Sequence, residues 1–100
     1  QLYVIINIPL FRYNKFVKIQ RGVKMNTEFP DRYITLGLKI AYYRRKAGFT
    51  QEYFAELIDK SVSFVGQVEG TGTVRGISLE TLFKMAQVLK IPPSKLLEDD

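Results

Sequence analysis

Apolar residues recur along this chain in short runs at helical spacing, separated by polar or Gly/Pro punctuation, and the pattern predicts five short helices. Leu36, Ile40, Tyr43 and Ala47 are four, three and four residues apart, one face of a first helix. Pro30 excludes a helix before it, so Asp31 is the expected N-cap and Gly48 the stop. Thr50 opens a second helix, its hydroxyl able to accept from a free N–H of the first turn, with Glu52 favouring the positive end. Phe54, Ala55 and Ile58 share one face of it, with Leu57 beside them, while Gln51, Glu52 and Glu56 point elsewhere. Asp59 and Lys60 then break the apolar pattern, and Asp tolerates a left-handed backbone at a turn. Ser61 caps a third helix. Ser78 caps a fourth, whose wide apolar face is Leu79, Leu82, Phe83, Met85, Ala86 and Leu89. Pro92 and Pro93 end it, and a last helix over 94–98 starts at Pro93, with Leu96 and Leu97 closing the bundle.

The third helix, over 61–69, is the unusual one. Its only regular core candidates are Val65 and Val68, with Phe64 nearby, so it buries a narrow stripe. Val62, Ser63, Gly66 and Gln67 are left facing outward. Small and amide side chains on an exposed helix let its backbone come close to another surface, and an amide can both donate and accept.

Composition narrows the chemistry. The chain has 100 residues, 46% hydrophobic and 25% charged, which fits one globular domain. Without Cys or His it has no disulfide, no thiolate metal site, no imidazole ligand and no Ser-His or Cys-His pair, so no catalytic or metal residues are expected and no cofactor is implied. The net charge of +5 is unevenly placed: residues 1–30 hold five Lys/Arg against one acid, and residues 31–100 ten against nine. Any attraction for a polyanion must therefore come from local placement, and Arg44, Arg45 and Lys46 with Arg75 are the local cluster. Its other reading is a solvated helix end favoured by the negative C-terminal dipole. Residues 70–77 are rich in Gly and Thr, but no strand pattern precedes them and no Lys-Ser/Thr pair follows, which argues against a phosphate-binding loop of the nucleotide type.

Residues 36–97 resemble the helix-turn-helix domain of Cro and phage-repressor type regulators, the XRE family. The resemblance rests on Leu36-Gly37, the run from Gly48 through Phe49, Thr50 and Gln51 to Glu52, then Phe54-Ala55, Ser61, Val65, Val68-Glu69, and the run 78–82. Asp59 stands where the family usually has a turn Gly, Lys60 where an apolar residue is usual, and Tyr53 replaces the Glu of a reciprocal capping box. The loop over 70–77 is longer than common in the family. The resemblance implies an all-α, compact five-helix bundle of the lambda-repressor-like DNA-binding type, with 50–58 as positioning helix and 61–69 as recognition helix. It implies sequence-specific binding of double-stranded DNA by a cytoplasmic transcriptional regulator, a repressor acting as a homodimer on a two-fold operator. Two recognition helices would then lie about 34 Å apart, one turn of the duplex. Val62, Ser63 and Gln67 are the expected base contacts: Val62 against a thymine methyl, Ser63 by one hydrogen bond, Gln67 bidentate to adenine. Thr50, Gln51, Ser61, Phe64, Thr71 and Arg75 are the expected backbone contacts. Gln51 is equally a brace between the two motif helices, and Glu69 is expected to be a structural partner of Arg44 or Arg45, because an acid facing phosphate would be repelled. The alternative is an antitoxin or adaptor that keeps the bundle but acts on a protein partner.

Residues 1–24 differ from the rest. Residues 2–11 are apolar and strand-like, far short of the ~20 residues that span a bilayer. The basic residues follow the apolar run rather than precede it, against a secretory signal. The segment reads as an extended or disordered N-terminal arm over residues 1–30, or as translated leader before Met25, with the DNA-binding domain at 31–100.

Overall fold

The computed structural model describes residues 26–99, so the readings of the preceding arm lie outside the described residues, except for its last five positions. Five helices follow one another: α1 (Pro30–Lys46), α2 (Gln51–Leu57), α3 (Val62–Glu69), α4 (Leu79–Leu89) and α5 (Ser94–Leu97). No described residue is in a strand. The all-helical expectation holds, and α1 packs against α3, α4 and α5 while α2 packs against α3. No described helix is long and apolar enough to cross a membrane.

Local chemistry sets most of the boundaries. The Thr50, Ser61 and Ser78 hydroxyls accept from the backbone N–H groups of Tyr53, Phe64 and Thr81, each three residues on. At the other ends, α1, α2 and α4 close on a left-handed residue: Gly48 (φ 82°), Asp59 (φ 58°) and Lys90 (φ 61°). In each case the next N–H reaches back five residues, from Phe49 to Arg44, Lys60 to Ala55 and Ile91 to Ala86, so that otherwise unpaired carbonyls are satisfied. Asp59 thus performs the turn expected of it.

The start of α1 differs from expectation. The N-cap position falls on Phe29, which has no side-chain cap, and Pro30 rather than Asp31 opens the helix. The fixed φ of proline suits the first helical position, where its missing N–H would be unpaired in any case. The helix therefore opens one residue early and Asp31 falls in the first turn, where it favours the helix dipole. At the far end, α5 begins one residue after Pro93, which occupies its N-cap position.

Phe54, Ile40, Met85, Leu96 and Val65 are the largest fully buried side chains, and they join elements from all five helices. Two predicted faces are rotated. On α1 the buried positions are Gly37, Ile40, Ala41 and Arg44; Leu36 and Tyr43 are only partly covered, and Ala47, where the chain turns out of the helix, is exposed. On α4 Thr81, Leu82, Met85, Ala86 and Leu89 are buried, whereas Leu79 is 65% exposed and Phe83 lies beside it on the outer surface. Leu96 closes the bundle alone, since Leu97 is 56% exposed. The loop after α3 is pinned by Val74, which is buried.

Candidate DNA interface

The second and third helices are fixed to the first by one buried ion pair. Arg44 donates from Nε to Oε2 of Glu69 at 2.7 Å and from Nη2 to Oε1 at 2.9 Å, a two-pronged bridge between α1 and the last residue of α3. Arg44 is 7% and Glu69 8% exposed. A third donor, Nη1 of Arg44, reaches the carbonyl of Phe49 at 2.8 Å, just before α2. Gln51 adds its Nε2 to Oε1 of Glu69 at 2.9 Å. The Glu69 carboxylate therefore collects three hydrogen bonds from two elements, which is what a buried charge requires. Glu69 has the structural role expected of it, with Arg44 as partner, and Gln51 braces α2 to α3. Arg44 is consequently no part of an outward basic cluster; Arg45 and Lys46 are exposed, but their neighbour is neutralised inside the bundle.

A second constraint lies about two turns back along α1. A Cβ placed on Gly37 would stand 1.9 Å from the carbonyl oxygen of Val68, so the backbones of α1 and α3 touch there and no larger residue fits. Gly37 and the Arg44–Glu69 pair together set how α3 lies across α1.

With its inner stripe of Val65, Val68 and Glu69 buried, α3 presents Val62, Ser63, Gly66 and Gln67 on one outer strip. Val62 and Ser63 are exposed and Gly66 and Gln67 half-exposed. Nothing stands within 4 Å of where a Cβ on Gly66 would be. Among the expected backbone contacts, the Thr50 and Ser61 hydroxyls serve as caps at the starts of α2 and α3, and Thr71 is exposed in the loop. Phe64 is half-buried between two cations: Lys60 Nζ lies 5.4 Å and the Arg75 guanidinium carbon 4.8 Å from its ring centroid. Arg75 also donates from Nε to Oε1 of Gln67 at 3.1 Å, so one half of the bidentate adenine pairing expected of Gln67 is already engaged.

Sequence reasoning did not find this Phe64–Arg75–Gln67 group, nor Lys60 on the Phe64 ring, nor Val74 as the loop's anchor. Only Val74 left a signal, as an aliphatic residue in the middle of a Gly/Thr-rich loop. On α2, the missing capping box is replaced by an edge-to-face contact of Tyr53 with Phe49, centroids 5.2 Å apart.

Two capped helices joined by a left-handed turn, the second locked from behind and free in front, define a helix-turn-helix module on a five-helix bundle. The family model described as helix-turn-helix matches residues 40–96, and the chain belongs to that family of XRE-type DNA-binding regulators. Among solved structures, it is similar to the restriction-modification controller protein C.AhdI from Aeromonas hydrophila, with 33% identity over 64% of this chain and 94% of that one and a TM-score of 0.59. A hypothetical transcription factor, NHTF, from Neisseria shares the fold at a TM-score of 0.62, with 24% identity over 75% of this chain and 84% of that one. No curated protein sequence matches the chain.

Proposed function

We propose that the chain is a transcriptional repressor that binds a two-fold DNA site as a homodimer, with α3 of each protomer in the major groove. The observation that carries this reading is the division of labour within α3. Its inner side is fixed by Gly37 and the buried pair, while Val62 and Ser63 stand exposed and Gly66 and Gln67 half-exposed on the opposite strip. A helix held this firmly, with small residues at its exposed N-terminal end, suits a groove about 12 Å wide. Val62, Ser63 and Gln67 are then the base contacts. The hydroxyls of Thr50, Ser61 and Thr71, the amide of Gln51, the Phe64 backbone and the Arg75 guanidinium are the backbone contacts, with Arg45 and Lys46 adding to the field. The similarity to a restriction-modification controller protein supports a regulatory role.

Support for the dimer comes from a different part of the surface. A cavity of about 620 Å³ opens between the start of α1, the start of α4 and α5, and Phe29, Leu79 and Leu97 stand exposed along it. None of its lining residues belongs to α2 or α3, so a second protomer seated there leaves the recognition strips uncovered.

The test is selection of bound duplexes from a random library by the full chain, at low and at raised salt. Enrichment of a short inverted repeat that weakens on Gln67→Ala is the expected result. Binding that disappears with salt and enriches nothing would reduce the interaction to phosphate attraction and favour a protein partner instead.

A further inference from the structure

The contact between Arg75 and Gln67 bears on which base the recognition helix reads. The two ends of a carboxamide have the same shape, but a guanidinium has only donors, so only the oxygen of Gln67 can face Arg75. Oε1 accepts from Arg75 Nε at 3.1 Å, which leaves Nε2, with its two N–H groups, as the free end. Arg75 is itself held: its guanidinium lies 4.8 Å over the Phe64 ring of α3, and the preceding Val74 is buried. Both Gln67 and Arg75 are half-buried, so the pair is part of the surface built around α3 rather than two loose side chains.

A glutamine that reads adenine uses both ends of its amide: the oxygen accepts from the N6 amino group while the nitrogen donates to N7. With its oxygen turned toward Arg75, Gln67 presents the donor end of its amide outward, and the remaining N–H groups of Arg75 beside it add more donors. Guanine presents two acceptors, N7 and O6, along the same edge. The amino groups of adenine and cytosine would meet donors rather than an acceptor at this end of Gln67. We propose that Arg75 is a specificity-determining residue, which turns Gln67 from a reader of adenine into a reader of guanine. This rests on the reading that α3 enters the major groove.

The experiment is the same duplex selection carried out in parallel with the full chain, Gln67→Ala, Arg75→Ala and Gln67→Glu. The position that loses its preference in Gln67→Ala is the base that Gln67 reads. At that position the unaltered chain is expected to favour guanine over adenine by about tenfold, a ratio typical of one well-made base contact. In Arg75→Ala the freed oxygen should move the preference to adenine, with the rest of the half-site unchanged and affinity lowered alike for all sequences. Gln67→Glu keeps a partner for Arg75 but removes both donors, and should favour cytosine, whose amino group donates; it serves if Arg75→Ala fails to fold. Adenine preferred by the unaltered chain, guanine retained in Arg75→Ala or Gln67→Glu, or no position altered by Gln67→Ala would each overturn the proposal while leaving DNA recognition standing. A library from which no variant and no unaltered chain enriches any site would overturn both.

Discussion

Replacing Glu69 by Gln should be among the most damaging single changes in this domain, although it removes no volume. The carboxylate takes two hydrogen bonds from Arg44, at 2.7 and 2.9 Å, and one from Gln51 at 2.9 Å. Both partners of the ion pair are more than nine-tenths buried. Removing one member of a buried pair leaves the other charge uncompensated, at a cost of about 3–5 kcal/mol. A domain of this length holds roughly 4–11 kcal/mol in all. Glu69→Gln should therefore lower the thermal midpoint by at least ~12 °C, at about 4 °C or more per kcal/mol for a domain this small. Urea unfolding followed by far-UV circular dichroism gives the free energy directly, and Arg45→Ala, on the neighbouring exposed side chain, should stay within about 0.5 kcal/mol of the unaltered chain. The double variant Arg44→Met with Glu69→Leu should recover most of the loss, because an apolar pair of similar volume carries no charge to strand. A Glu69→Gln chain within about 1 kcal/mol of the parent, or no recovery in the double variant, would refute the claim that this pair fixes α3 to α1.

Three other changes probe the backbone. Gly37→Ala drives a Cβ against the Val68 carbonyl oxygen, and should destabilise by about 1–3 kcal/mol as α1 and α3 separate; an unchanged urea midpoint would mean the helices have room to spare. Asp59→Gly relieves a left-handed non-glycine residue and should stabilise by about 1 kcal/mol with DNA binding retained, read by calorimetry and by fluorescence anisotropy. Gly66→Ala meets nothing in the free protein and should also stabilise, by about 1 kcal/mol, yet weaken binding to duplex DNA if the α3 backbone approaches base edges.

The parts of this fold legible in the sequence are those set by neighbours within a few residues. Thr50, Ser61 and Ser78 cap the N–H group three positions ahead, and Asp59 turns the chain by its own backbone preference, so the helix-turn-helix could be placed closely. The outward strip of α3 was legible too, because Val65 and Val68 alone repeat at core spacing. What could not be read depends on contacts distant in sequence. The buried face of α1 is rotated toward Gly37 and Arg44 because Val68 and Glu69, some 25–31 positions on, lie against it. Leu79 and Phe83 look like core by periodicity, but the bundle leaves that side of α4 uncovered. The link from Arg75 to Gln67 crosses a loop held by the burial of Val74 and by Ile77 against the core.

The central claim, that the outer strip of α3 meets DNA, is tested most directly by Ser63→Glu. Ser63 is exposed and has no packing task, so the substitution should leave the unfolding midpoint within about 0.5 kcal/mol of the parent. A carboxylate brought into a groove lined by phosphates should nevertheless lower affinity for the selected duplex by about a hundredfold or more at moderate salt. Binding that survives Ser63→Glu in a folded protein would contradict the account, and would place the interface on another face of the bundle.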